Sequence, residues 1–261
     1  MDHTLKKMNK NLKKPQWRNY PANLGRLPLF LPVKKREFTE RVLGTSWGKI
    51  TLEGKTLTMF DEDIFITLAN MGIKRKIALD YGDSFETIVY QGNLYNIAKN
   101  AGKIPGRNTY RMIISSLKAL HSIKIKIEAD GYKHYDSMLY SFTTRENDPE
   151  QKTPIKIVMN AKIAKAFDKI RHLDMDVRVQ LSEIGKALHR FLSCHSLTSR
   201  FKLETLKASV APELRNNNFK SYILREASKL KELGFLESFK YENGVFTFTR
   251  SHKQKSIGLP C

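Results

Sequence analysis

The chain has 261 residues, 41% of them hydrophobic, and 46 Lys plus Arg against 26 Asp plus Glu give a formal net charge of +20. The apolar share is enough for one large core or two small ones and excludes a wholly disordered chain. The surplus of positive charge points to a polyanionic partner, most commonly nucleic acid, and no run approaches the ~18–20 apolar residues of a membrane span.

The charge is uneven. Residues 1–36 hold ten Lys/Arg and a single acid, Asp2, a net +9 that leaves +11 for the remainder. Pro15, Pro21, Pro28 and Pro32 prevent a continuous helix there, so a basic, mostly irregular arm is expected, with one apolar island at Leu27-Pro28-Leu29-Phe30-Leu31. No apolar stretch follows the charged N-terminus, so no secretory leader is expected. Two cysteines, Cys194 and Cys261, imply no disulfide framework and fit a reducing cytosol.

A first domain is expected over residues 37–148. Ile50–Leu52 and Leu57–Met59, joined through Glu53-Gly54-Lys55, read as a hairpin. Asp61–Met71 reads as a helix with acids in its first turn, Thr87–Tyr90 as a short strand, and Asn93–Ala101 as a second helix stopped by Gly102. Arg107–Leu120 reads as a basic helix with Tyr110, Ile113, Leu117 and Leu120 inward. Ile123–Glu128 alternates as a strand with one buried and one basic face, Asp130-Gly131 turns, and Tyr135–Phe142 returns.

Residues 144–154 are polar and read as a linker to a second domain over 149–250, with a tail at 251–261. Ile155–Met159 and Val177–Val179 read as strands and Ala161–Asp168 as a helix. Ser182–Leu197 reads as a strong helix with Ser182 as its cap. Leu203, Leu206 and Val210 mark a short helix, and Asn218–Leu233 a second basic helix. Phe235–Tyr241, Asn243-Gly244 and Val245–Thr249 then form a hairpin. Ile113, Leu117 and Leu120 are matched 110 positions later by Ile223, Ala227 and Leu230. Helix, short helix, basic helix and hairpin thus occur twice. The expected fold class is α+β: two tandem winged helix-turn-helix domains behind a basic arm.

A helix in the major groove turns one face to its own domain and the other to base edges and phosphates. The outward set is Arg107, Asn108, Arg111, Ser115 and Lys118 in the first basic helix, and Asn218, Ser221, Tyr222, Arg225 and Lys229 in the second. Arg and Asn are the natural readers of guanine and adenine, while Ser and Lys serve phosphates. From the wings, Lys133, His134, Lys240 and Asn243 are candidates for the backbone or minor groove.

The chain resembles plasmid replication initiators of the TrfA-like and IncQ RepC-like kind. The likeness lies in Asn23–Val33, in Tyr110–Ile127 and in Arg178–Arg250, which includes Ile184-Gly185-Lys186-Ala187-Leu188-His189-Arg190-Phe191-Leu192. It implies binding to directly repeated origin sites (iterons), help in opening adjacent AT-rich DNA and recruitment of host replication proteins such as the initiator and replicative helicase. It also implies a shift between homodimer and monomer. Arg26-Leu27-Pro28-Leu29-Phe30 further resembles the pentapeptide by which bacterial proteins dock on the sliding clamp, with Arg26 where that motif has Gln. Leu27, Leu29 and Phe30 would then serve a partner. The other reading is that the island packs against the first domain.

No Gly-rich phosphate loop is present. Asp61 with Asp63 and Asp174 with Asp176 are paired carboxylates, but the first pair opens a helix, where acids favour the dipole. His189, Cys194 and His195 lack a fourth ligand at zinc spacing. The expectation is a protein without catalysis, metal or cofactor. A transcription regulator of the same architecture is the alternative to an initiator.

Overall fold

A computed structural model describes residues 17–45, 48–78, 84–129, 131–144, 154–164 and 170–251. The chain enters through strand β1 (Trp17–Pro21), a single turn α1 (Ala22–Gly25) and β2 (Phe30–Leu31). Strands β3 (Phe38–Gly44) and β4 (Lys49–Lys55) precede the short β5 (Leu57–Thr58) and helix α2 (Met59–Met71). Next come β6 (Ile73–Ala78), β7 (Ser84–Gly92), α3 (Leu94–Asn100) and α4 (Arg107–Ser122), then β8 (Lys124–Ala129) and β9 (Tyr132–Asp136). Strands β10 (Leu139–Thr143) and β11 (Ile155–Asn160), helix α5 (Ala161–Ala164), β12 (Ile170–Asp174) and α6 (Met175–Arg178) follow. The last part is α7 (Glu183–Ser193), β13 (Thr198–Lys202), α8 (Leu203–Val210), α9 (Asn216–Glu232), β14 (Leu236–Glu242) and β15 (Val245–Arg250).

Two four-stranded sheets, β3-β4-β8-β9 and β10-β11-β7-β6, belong to the first half, and a three-stranded sheet, β13-β15-β14, to the second. The strand pairing does not follow the expected boundaries. Trp17–Pro21, assigned to the irregular arm, pairs antiparallel with β12, and β2 pairs parallel with β5. Strand β11, assigned to the second domain, lies between β10 and β7. Lys6 to Lys14 of the arm, residues 145–153 of the linker, Asp130, and nearly all of the tail lie outside the described residues.

The apolar island is core. Leu29 is 2% exposed and Phe30 0%, Leu27 packs partly buried beside them, and the Arg190 guanidinium donates to the Phe30 carbonyl at 3.2 Å. The clamp-docking reading is therefore corrected: these side chains are committed to the fold. The hairpin expected at Glu53-Gly54-Lys55 is corrected too. Gly54 stays inside β4, where φ is +144° and a Cβ would meet Ile123 at 3.3 Å. Glycine here serves close backbone approach rather than a turn. Val177–Val179 is not a strand, because the Asp174 side chain accepts from the Asp176 and Val177 amides and caps α6 instead. The return expected at Tyr135–Phe142 is split: β9 pairs with β8, and β10 leaves to join β11.

Helix α2 organises the interior. Thr58 caps it, and the Asp61 carboxylate reaches back to the Thr58 amide at 2.7 Å, a reciprocal box that satisfies the first turn. Asp61 also accepts from Arg36. The next two residues, Glu62 and Asp63, are buried among cations from three other places in the chain. Arg178 donates to Glu62 at 2.6 Å and to Asp63 at 2.8 Å. Arg190 reaches Glu62 at 3.0 Å, Lys186 and Lys103 reach Asp63 at 3.0 and 2.8 Å, and the Tyr20 hydroxyl donates to Glu62 at 2.7 Å. Burial alone would raise the Asp63 pKa, but Arg178, Lys186 and Lys103 hold it well below the usual carboxylate range. Burial opposes the charge of Arg178 as well, yet Glu62 and Asp63 raise its pKa overall.

Breaking such a group is costly, since a lost cation leaves buried carboxylates short of their partner. Arg178→Met is expected to destabilise the fold by about 3–5 kcal/mol, read as a lower urea midpoint at unchanged slope.

His189 is fully buried, with its ring 4.5 Å from that of Phe235 and no described hydrogen-bond partner for either nitrogen. Burial, then the Arg178 and Arg250 charges, hold its pKa well below 6.5. Below that pH the unfolded chain binds a proton that the folded chain refuses, so stability is full above it and falls as pH drops. His195 is shifted the same way by burial. His189→Leu is expected to flatten the loss of stability between pH 7 and 5, by up to about 1.4 kcal/mol per pH unit. Urea midpoints measured across that range test this.

Candidate nucleic-acid interface

Helix α4 divides cleanly. Ile113, Leu117 and Leu120 are 0% exposed against α2 and α3, while Arg107, Asn108, Arg111, Ser115 and Lys118 are all exposed on the opposite side. The sequence pattern does not reveal Arg36. It is anchored on Asp61 and donates to the Ser115 hydroxyl at 2.7 Å, which adds a held cation to this face. Ser115 is thus engaged by Arg36, although its hydroxyl hydrogen can still donate.

Helix α9 repeats the arrangement. Phe219, Ile223, Ala227 and Leu230 are buried against α7, α8 and β14. Asn218, Ser221, Arg225 and Lys229 are exposed, and Tyr222 is half-buried. The Arg225 side chain is 63% exposed yet held in place. Its Nε and Nη2 donate to Glu226 Oε1 at 3.2 and 2.9 Å, and its guanidinium lies 5.0 Å from the Tyr222 ring centre. Glu226 is buried and supplies an anchor that the outward pattern could not show. A guanidinium so oriented loses less rotamer freedom on meeting a ligand. The Ser221 hydroxyl bonds back to the Asn217 carbonyl, and Lys229 pairs with Glu232 at 3.3 Å. Exposed pairs of that kind are worth little and exchange readily.

Each basic helix runs directly into an antiparallel hairpin, β8–β9 after α4 and β14–β15 after α9. Asn243 and Gly244 both take positive φ, 49° and 78°, as the tight turn between β14 and β15 requires. Lys240 is exposed and pairs with Glu242 at 2.8 Å, and Lys220 of α9 sits over the Tyr241 ring at 4.5 Å. The other candidate pair separates. His134 lies opposite Ile127 on the inner side of β9 and lines a cavity with Ile125 and Ile127, whereas Lys133 lies opposite Glu128 on the outer side. Alternation along the strand turns the two side chains to opposite sides of β9.

The chain is similar in structure to domains 2–3 of RctB. A crystal structure of RctB domains 2–3 aligns with a TM-score of 0.60 at 12% identity, covering 90% of this chain and 99% of that one. The selenomethionine derivative of RctB domain 2 and domain 3 gives 0.61 at 12% identity, covering 88% and 98%. At this identity the likeness to RctB is one of fold. No protein-family model and no curated protein matches the sequence.

Asp61, Asp63, Asp174, His189, Cys194 and His195 form no metal cluster: none of three or more His, Cys, Asp or Glu occurs among the described residues. Cys194 is buried, and burial pushes its thiol up to about 12. No helix among the described residues is long and apolar enough to cross a membrane.

Proposed function

We propose that this chain is a sequence-specific, duplex-DNA-binding replication initiator without catalytic activity of its own, built from two winged helix-turn-helix units. In this reading α4 and α9 are the recognition helices and the hairpins β8–β9 and β14–β15 are the wings. One observation carries it: two amphipathic helices, each with its apolar side packed and an exposed Arg, Asn, Ser and Lys side, each followed at once by a hairpin. The net charge of +20 supports it. So does the fold shared with RctB domains 2–3 over both halves of the chain. Following the resemblance to plasmid initiators, its sites are the direct repeats of a plasmid origin, where it helps open the duplex and recruits host replication proteins in the bacterial cytoplasm. A monomer–dimer shift belongs to the same reading.

A footprint on the DNA flanking the gene is expected to show several direct repeats protected in register. One inverted repeat over a promoter would indicate a regulator of the same architecture, and no protection would overturn both. On the footprinted site, Arg225→Ala is expected to cost about 1–3 kcal/mol of binding and to relax base choice at one position. Competition titrations against single-base variants test this; equal weakening on every sequence would make Arg225 a phosphate contact only.

A further inference from the structure

Strand β6 carries three consecutive cations, Lys74, Arg75 and Lys76, directly after Ile73. It is an edge strand, last in the order β10-β11-β7-β6 and bonded only to β7. An edge strand ordinarily hides one face. Here Ile73, Lys74, Arg75 and Lys76 are all exposed, so both faces and the free edge stand open. Lys74 and Lys76 share one face, roughly 6.6 Å apart along the strand, and Arg75 takes the other.

Only Lys76 has an acidic residue opposite it, Glu86. The residues opposite are Ile88, Thr87 and Glu86, and none of the three cations makes an ion pair with a described carboxylate. Lys124, Lys229 and Lys240 each sit within 3.3 Å of a glutamate oxygen, whereas Arg107, Arg111, Lys118 and Lys202 are exposed without an ion pair to a described carboxylate, as the β6 cations are. Charge on an edge strand also blocks unwanted strand pairing, but a single charge suffices for that. Three adjacent cations repel one another unless a polyanion supplies the counter-charge.

We propose that β6 is a third nucleic-acid contact, a basic edge whose Lys74, Arg75 and Lys76 bind the phosphate backbone, assisted by the outward backbone amides of the free edge. This rests on the duplex-binding reading above. The strand strengthens binding without choosing sequence, so its effect is distinct from that of Arg225.

The test uses the full chain, the footprinted duplex, and the triple variant Lys74→Gln, Arg75→Gln, Lys76→Gln, with Kd measured between 50 and 200 mM salt. Each lost phosphate contact lowers the slope of log K against log salt by about 0.9, so the variant is expected to lose about 1 to 3 from the slope with its base preference unchanged. An unchanged urea midpoint verifies that the fold is intact. A wild-type slope in the variant overturns the proposal. If the variant then self-associates, or fails to bind an acidic peptide that the wild type binds, the cations are a pairing block or a peptide dock instead. If the wild-type chain binds no duplex at all, the duplex-binding reading falls as well, an outcome separate from binding with an unchanged slope.

Discussion

Two acidic side chains of one helix hold this molecule together. Glu62 and Asp63 are adjacent, 0% and 2% exposed, and almost without water to solvate them. An unpaired carboxylate in such a place would neutralise or drive the chain open. Arg178, Arg190 and Lys186 come from α6 and α7, Lys103 from the loop before α4, and Tyr20 from β1. The charges therefore tolerate only one mutual placement of these segments. Attraction repays desolvation when the geometry is complete, and any slippage leaves a charge exposed to low dielectric. Such a group contributes less to net stability than to specifying how the parts meet.

That placement reaches the outer surface through packing. Helix α2 contacts α4 on one side and α7 on another, and α7 packs against α9. The two basic helices are thus mounted at either end of a short path, α4–α2–α7–α9, whose centre is the ionic group. Strand pairing reinforces it, since β1 joins β12 across the chain and β11 inserts between β7 and β10. These pairings join strands from both halves of the chain.

The charges of the surface are organised at two levels. Some are fixed by buried acids, as Arg36 is by Asp61 and Arg225 by Glu226. Others are paired loosely with exposed glutamates and remain ready to exchange partners, as Lys229 and Lys240 are. A rigid guanidinium suits geometric readout and a loose ammonium suits a phosphate.

Local pattern sufficed for the two basic helices. The apolar spacing of Ile113, Leu117 and Leu120, and of Phe219, Ile223, Ala227 and Leu230, determined α4 and α9 and their outward faces, because a helix must bury whatever recurs at its own period. The Asn243-Gly244 turn was equally legible, since only positive φ closes that hairpin. The structure alone decided that Leu29 and Phe30 are core, that Tyr135–Phe142 divides between two sheets, and that β3 and β6 are strands at all. Those outcomes depend on partners far away in the chain, and a strand carries no record of what it will pair with. The same holds for Glu62, Asp63, Arg178 and Lys186: in sequence they are ordinary surface charges, and only tertiary packing, by removing water from all of them together, turns them into the group that sets the fold.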